Sequence, residues 1–149
     1  MADINITQGE ADELIAMEKI RADDRDWQFP NPGEQIAIPL TSTDKRESFF
    51  LDVTRGRIKL TKASYQNRGR QTIILLRLCV DGAPHRNPDE VVIPCPHLHI
   101  YREGFGDKWA QPAPAALCGN TEDLFSTIFE FMTYCNVSQP PRIEKGLFS

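Results

Sequence analysis

The segment from residue 95 to residue 109 carries most of the side chains that could do chemistry. It reads Cys-Pro-His-Leu-His-Ile-Tyr-Arg-Glu-Gly-Phe-Gly-Asp-Lys-Trp and holds two of the chain's three histidines. Histidine changes charge near neutral pH and also binds metal ions. Successive side chains of a β-strand point to opposite faces, so we expect Cys95, His97, His99 and Tyr101 to share one face. Leu98 and Ile100 would share the other, which predicts a strand with an apolar underside and a chemically active outer face.

One chemistry that fits these side chains is metal-independent cleavage of RNA. One group would act as general base on a ribose 2′-hydroxyl, a second would protonate the leaving oxygen, and a cation would stabilise the charge on phosphorus. The candidates are His97, His99 and His85 as acid and base, Glu103 as an alternative base, and Arg102 or Lys108 as the cation. For this reaction we expect no cofactor and no metal ion.

Two other interpretations of the histidines stay open. His97 and His99 could bind zinc together with Cys95 on the same face and His85 from the preceding loop, because nitrogen and thiolate ligands suit that ion. No CxxC or HExxH spacing accompanies them, and Cys95 lies between two prolines. Alternatively, the histidines are structural and only form hydrogen bonds with the backbone and with neighbouring side chains.

A second candidate site is a run of basic residues in the middle of the chain. Residues 55–77 contain seven basic side chains and no acidic one, a charge of +7 within a protein whose net charge is −4. Residues 1–34 carry nine acidic against three basic side chains, a net charge of −6. A basic stripe in an acidic protein is typical of a polyanion site, although it is also compatible with an ordinary solvated face. The predicted nucleic-acid-binding residues are Arg55, Arg57, Lys59, Lys62, Arg68 and Arg70, with Arg77 at the end of the run.

The composition predicts one soluble domain spanning all 149 residues. No apolar run approaches the roughly 20 residues that a membrane span needs, so we expect no membrane partner. The first residues have neither the basic flank nor the apolar stretch of a secretory signal. The four cysteines are widely spaced, which favours reduced thiols over a disulfide framework and a cytoplasmic location.

The elements that would position these residues follow from local patterns. Thr7 and Glu10 fit a capping box at the start of a helix over residues 7–22. Apolar residues then alternate with period two over residues 35–102, which predicts a sheet. We expect a hairpin turn at residues 54–57, a break in the chain at residues 67–69, and a central strand buried on both sides over residues 72–80. A second helix is predicted over residues 121–135. The fold class is therefore α+β: a curved antiparallel sheet with an N-terminal and a C-terminal helix packed on it.

Two blocks of the sequence carry a resemblance to known proteins. Asp81-Gly-Ala-Pro-His85 is followed by Pro94-Cys-Pro-His97-Leu-His99-Ile-Tyr-Arg-Glu-Gly, and together they resemble an uncharacterised bacterial and phage family of roughly 150-residue proteins. The likeness runs from about residue 47 to residue 109. More distantly, the chain is similar to small proteins of toxin–antitoxin loci with an "APHH … PHHxH" pattern. Here Arg86 stands at the second histidine of the first block, and Leu98 separates His97 from His99. The resemblance implies a defence or mobile-element context.

These observations lead to two hypotheses for the function. The first is a nucleic-acid-directed protein of a toxin–antitoxin or defence locus, with metal-independent ribonuclease activity as its candidate reaction. The alternative is a non-catalytic phage or mobile-element inhibitor that binds a nucleic-acid-handling protein complex. The expected partners are RNA or another nucleic acid and a protein such as an antitoxin or a defence complex, and a homodimer is compatible with the sequence. Convergence of the three histidines with a cation in an open cleft would favour the first hypothesis.

Overall fold

Two helices and a large, mostly antiparallel sheet form the α+β fold that the sequence predicts. The computed structural model describes residues 6–119 and 121–146. The helices are α1 (Gln8–Ala16) and α2 (Leu124–Tyr134), and Ala115–Leu117 forms a short 3₁₀ turn. The strands are β1 (Lys19–Arg21), β2 (Asp26–Gln28), β3 (Gln35–Ser42), β4 (Ser48–Arg55), β5 (Ala63–Gly69), β6 (Ile73–Val80), β7 (His85–Arg86), β8 (Val92–Ile93), β9 (His97–Ile100), β10 (Ala110–Pro112), β11 (Val137–Gln139) and β12 (Arg142–Glu144).

The main sheet has, among the described residues, eight strands in the order β10-β9-β6-β5-β4-β3-β1-β11. Its neighbours pair antiparallel except for β1 and β11, which run parallel. The short strands β2 and β12 pair with each other at one side, and β7 pairs with β8 in a small hairpin. Strand β6 therefore lies inside the sheet, between β5 and β9.

Both helices contribute to an apolar core on one face of the sheet. Leu14 of α1 and Phe131 of α2 are buried, together with the inward residues of β4, β5 and β6. Tyr65 of β5 is fully buried, donates its hydroxyl proton to the carbonyl oxygen of Leu124 at 2.6 Å, and lies 6.1 Å from the Phe131 ring. Burial of each large apolar side chain contributes about 1.5–3 kcal/mol, so this face provides most of the driving force for folding.

The first helix begins where the sequence predicts and ends earlier. Thr7 and Glu10 form the capping box, but α1 stops at Ala16 and residues 19–21 belong to a strand. The prediction of a helix to residue 22 was therefore wrong. The reason is Lys19, whose buried ammonium group donates to the carbonyl oxygens of Ile15 at 3.0 Å, Met17 at 2.8 Å and Cys135 at 2.9 Å. Lys19 thus satisfies the last carbonyls of α1 and joins them to the end of α2.

Two predicted turns lie elsewhere. Strand β4 continues to Arg55, because Arg55 is buried and its guanidinium donates to the carbonyl oxygens of Pro30 at 2.9 Å and Leu60 at 3.2 Å. Residues 56–62 form the connection, not a strand, and Ile58 is 95% exposed there. The break expected at residues 67–69 is part of β5, and the chain turns at Arg70 and Gln71, which both have positive φ angles.

Strand β6 is central, but only one of its faces is fully buried. Leu75 and Leu78 are buried towards the helices, whereas Arg77 and Cys79 are half-buried on the opposite face. The prediction that both faces are buried was wrong, because Ile74, Arg77 and Cys79 are only half-buried. The C-terminal helix is confirmed with narrower bounds than residues 121–135, because Asp123 accepts the hydrogen bond from Ser126 that caps α2.

Within the described residues, no helix has both the length and the apolar character needed to cross a membrane.

Lys19 gives a direct test of the link between the helix ends. Lys19→Met keeps much of the side-chain volume but leaves three carbonyl oxygens without their donor, and unsatisfied buried acceptors are costly. We expect the free energy of unfolding to fall by roughly 2–4 kcal/mol in urea denaturation. The matched control is Lys45→Met at an exposed position, where we expect a change within about 0.5 kcal/mol. Equal effects of the two substitutions would contradict the role given to Lys19.

Candidate functional site

The antiparallel register of β6 and β9 sets chemically active side chains next to one another. Cys79 lies opposite His97, and Arg77 lies opposite His99. Directly opposed residues of an antiparallel pair have Cβ atoms about 4.5–5.5 Å apart on the same face. That face points away from the helices, since Leu98, between the two histidines, is fully buried on the core side. The sequence prediction that His97 and His99 share an outer face is therefore consistent with the strand geometry. For Tyr101 the prediction was wrong, because β9 ends at Ile100 and the Tyr101 side chain is buried in the core, where its hydroxyl donates to the carbonyl oxygen of Ile6 at 2.8 Å.

The third histidine joins them from the β7–β8 hairpin. The ring centre of His85 lies 4.6 Å from that of His99 and 6.0 Å from that of His97, and the His97 and His99 rings are 4.9 Å apart. The His85 ring is held by a 2.7 Å hydrogen bond between its Nε2 atom and the carbonyl oxygen of Lys108. All three histidines of the chain thus meet at one place.

These side chains line an open cavity of about 430 Å³ on the polar face of the sheet. We call it the histidine cleft and define it by six residues: Lys62, Arg77, Cys79, His85, His97 and His99. Residues 82–84, which lead into β7, form part of its wall. The cleft is large enough for a small group such as a phosphate and is open to solvent at one side.

Burial keeps two of the histidines neutral near pH 7. It lowers the pKa of His99 to about 4, and the positive charge of Arg77 acts in the same direction. Burial also lowers the pKa of His97, helped by His85 and Arg77. Nδ1 of His99 lies 2.8 Å from the carbonyl oxygen of Asp107, so this nitrogen carries the proton of the neutral ring. Nε2 of His99 is then left with a free lone pair.

A salt bridge holds the segment that orients His99. The guanidinium of Arg77 lies 3.1 Å from a carboxylate oxygen of Asp107, whose backbone carbonyl oxygen contacts the His99 ring. Arg77 on β6 therefore fixes the loop that fixes His99 on β9. Asn87 adds a second anchor behind the cleft, because its side chain bonds both the carbonyl oxygen and the N–H of Ala110 in β10, at 2.9 and 2.8 Å.

The other residues predicted for acid–base chemistry lie outside the histidine cleft. Arg102 stacks on the Trp109 ring at 4.0 Å. The carboxylate of Glu103 accepts the backbone N–H of Gln8 at 2.6 Å, so it supports the start of α1. Lys108 contributes its carbonyl oxygen to His85, while its side chain is exposed beside a different depression. The structure brings together the three predicted histidines and separates them from these three residues.

Most of the predicted basic stripe is neutralised within the fold. Arg68 pairs with Asp52, Arg70 with Glu10 and Glu47, and Lys59 with Asp81, while Arg55 is buried against backbone carbonyl oxygens. In residues 6–119 and 121–146, no carboxylate lies within 4.0 Å of the charged atoms of Arg57 or Lys62. Two predicted nucleic-acid-binding residues line the cavity of the histidine cleft, Arg55 and Lys62. The Arg55 guanidinium is occupied by backbone carbonyl oxygens, so Lys62 is the one of the two that can offer its charge to a ligand.

Sequence reasoning missed three residues of the site: Arg77 as a neighbour of His99, Cys79 as a neighbour of His97, and Asp107. A signal for the first two exists, since Arg77 and Cys79 interrupt an otherwise apolar strand at alternate positions. It marks a polar face, but which strand lies beside that face depends on the register. Cys95, the thiol expected in the site, instead lies 3.5 Å from Nδ1 of His97 and 3.7 Å from the carbonyl oxygen of Ala83.

The chain belongs to DUF6978, described as a family of unknown function, which matches residues 6–137. No curated protein and no solved structure matches the chain. The matched range contains every residue of the histidine cleft, so the cleft is part of the region by which the family is recognised.

Burial of His99 predicts a loss of stability in mild acid. The folded-state pKa of about 4 lies below the unfolded value near 6.5, so the unfolded chain binds the proton first. Stability from this group is complete above about pH 6.5 and declines by about 3 kcal/mol as the pH falls to 4. We expect urea denaturation with a chelator present to show this decline, and His99→Gln to reduce it. An NMR titration in which the His99 ring protonates near pH 6.5 would refute it.

Proposed function

We propose that the protein acts on nucleic acid through the histidine cleft, as an RNA-binding and RNA-cleaving protein of a toxin–antitoxin or defence locus. The observation that carries the proposal is the convergence of three histidines with Lys62 and Arg77 in one open cavity. The locus context rests on the resemblance of the two histidine-bearing blocks around residues 81–104. The expected protein partner is an antitoxin or a component of a defence complex.

The cleft has the charge and size to hold a phosphodiester. Lys62 supplies positive charge at the cavity wall, where Arg77 lies in a salt bridge with Asp107. A phosphate oxygen in the cavity would also accept hydrogen bonds from a histidine N–H. Cations placed where charge develops on phosphorus also stabilise the transition state of cleavage. Binding and cleavage would thus use the same groups, with the rest of the RNA strand on the outer face of the sheet.

Acid–base cleavage assigns different roles to the three histidines. His97 and His99 are buried and have lowered pKa values, so at neutral pH they can accept a proton but are poor donors. His99 has its Nε2 lone pair free and is the better-oriented base for a 2′-hydroxyl. His85 is only half-buried and enters from a hairpin, which makes it the candidate donor to the leaving oxygen.

A second candidate function is supported by an exposed apolar loop. Ile58 is 95% exposed and Leu60 58% exposed in the connection between β4 and β5, next to Arg57 and Lys59. Large apolar side chains displayed together on a loop favour contact with a protein partner. This is what a non-catalytic inhibitor of a nucleic-acid-handling complex would need, and it is the preferred function if the purified protein retains no RNA.

Charge reversal at Lys62 tests binding. Lys62→Glu places a carboxylate at the cavity wall, so we expect RNA retention at low salt to fall at least tenfold. The slope of log affinity against log salt should decrease by roughly one. The matched control is Lys45→Glu, the same charge change at an exposed site outside the cleft, which should keep affinity within about twofold. Equal losses in both variants would mean that only net charge matters and would refute binding in the cleft.

Alanine substitutions separate the cleft from the neighbouring loop in catalysis. We expect His85→Ala and His99→Ala each to slow RNA cleavage by about 10²-fold or more, since each removes a proton-transfer group. Arg102→Ala should leave the cleavage rate unchanged, because Arg102 stacks on Trp109 away from the cleft. Circular dichroism of each variant checks the fold. Full cleavage by the His85→Ala, His99→Ala double variant would end the catalytic proposal.

A further inference from the structure

Cys79, His97 and His99 present three metal-binding atoms to a single point. The Cys79 sulfur and one ring nitrogen from each histidine all lie within 4.8 Å of one another. In a tetrahedral zinc site with bonds of about 2.0–2.3 Å, ligand atoms are about 3.3–3.8 Å apart. The upper limit of 4.8 Å exceeds this spacing by about 1 Å, so movements of about that size would bring the three ligand atoms to zinc-binding distances. We propose that these three residues bind one zinc ion whose fourth coordination position opens into the histidine cleft.

The surroundings of the two histidines suit this role. Metal-binding histidines nearly always donate their second ring N–H to a carbonyl or carboxylate oxygen, which fixes the ring and its tautomer. His99 does so with the carbonyl oxygen of Asp107 at 2.8 Å. Nδ1 of His97 lies 3.5 Å from the Cys95 sulfur. The His99 ring is therefore held from the backbone through Nδ1, which leaves its Nε2 atom for a metal ion, and Nδ1 of His97 contacts a neighbouring side chain.

The ligand set selects the class of metal. One thiolate and two imidazoles suit zinc, whereas magnesium and calcium require oxygen ligands. Three protein ligands with a fourth position open to solvent are typical of catalytic zinc sites, while structural sites use four protein ligands. Within the described part of the chain, Cys79, His97 and His99 are the histidine, cysteine or acidic side chains whose ligand atoms lie close enough together, in a set of at least three, to bind one metal ion. The proposed zinc site departs from the sequence-based expectation of no metal ion.

The charge of the occupied site predicts its fourth ligand. Zinc with one thiolate carries a net charge of +1, and Arg77 is already balanced by Asp107, so Lys62 adds a second positive charge to the cavity. An anionic oxygen is the natural occupant of the open position. The identification of that oxygen with an RNA phosphate rests on the proposed function, but the zinc site itself does not.

Two cysteines at the site provide a matched pair of variants. Cys79 and Cys95 are both half-buried. Cys79 pairs with His97 across β6 and β9, and Cys95 is two residues before His97 and contacts its ring. Cys79 lines the cleft with His97 and His99, whereas the Cys95 sulfur lies 3.5 Å from Nδ1 of His97. Replacement of sulfur by oxygen is a small change in volume, so Cys79→Ser and Cys95→Ser test the same chemistry at two positions.

Cobalt substitution tests the proposal without an activity assay. The purified full chain is stripped with a chelator under reducing conditions and titrated with Co²⁺, and zinc content is measured by mass spectrometry before stripping. We expect one metal ion per chain, visible absorption bands of tetrahedral cobalt, and a near-ultraviolet sulfur-to-cobalt charge-transfer band. Cys79→Ser should lose the charge-transfer band, and Cys95→Ser should keep it. His99→Gln should weaken cobalt binding at least tenfold.

Three outcomes would overturn the zinc site: no saturable cobalt binding by the wild-type chain, a charge-transfer band that persists in Cys79→Ser, or one that is lost in Cys95→Ser. Circular dichroism and thermal melting check that each variant folds, and His99→Gln tests the site independently of the cysteine. RNA retention by the metal-stripped chain reports separately on the proposed function. Retention without any cobalt binding would overturn the zinc site alone, and cobalt binding without RNA retention would overturn the RNA function alone.

Discussion

The pairing register of β6 with β9 is the constraint on which the histidine cleft depends. Because side chains alternate along a strand, a slip by one residue would turn Leu98 into the cleft and both His97 and His99 into the core. Burial of Leu98 opposite Leu78 on the helix side opposes such a slip. Strand β10 pairs with the other edge of β9, with Ala110 opposite His99, and this pairing also holds β9 in register. The polar site is therefore a consequence of apolar packing on the opposite face of the same two strands.

The basic stripe shows why the net charge of a sequence segment can differ from the charge that its surface presents in the folded protein. Residues 55–77 contain no acidic side chain, yet carboxylates from other elements reach into the stripe. Asp52 on β4 lies beside Arg68 on β5, and Glu10 on α1 and Glu47 before β4 both reach Arg70. Pairs of this kind on the surface contribute little to stability, but they remove the positive potential that a polyanion would sense. Among the described residues, Arg57 and Lys62 are the members of the stripe that neither a carboxylate nor burial neutralises, and Lys62 lies in the histidine cleft.

Short sequence patterns predict the elements that depend on interactions between residues close together in the sequence. The Thr7–Glu10 capping box, the alternation along β4 and the apolar spacing of α2 are each readable within a few residues, and each element is present. Element ends are different, because they depend on distant partners. Lys19 ends α1 by reaching the far end of α2, and Arg55 extends β4 by reaching Pro30. The same limit applies to the site: the His97–His99 spacing identifies their shared face, but no local pattern places Cys79 beside them.

Burial of the histidines connects the acid–base and metal interpretations of the cleft. Desolvation disfavours the charged imidazolium, so His97 and His99 hold no proton on their free nitrogens at neutral pH. A neutral imidazole is a poor acid, but its lone pair is what a zinc ion binds. The same burial that removes these two residues as proton donors therefore prepares them as ligands, next to a thiol that zinc would deprotonate. In this arrangement His85, which enters from a separate hairpin and lies outside the ligand trio, keeps its proton-transfer role. The free lone pair of His99 cannot bind zinc and accept a proton at the same time, so an occupied zinc site would take the base role away from His99 and leave His85 as the proton-transfer histidine.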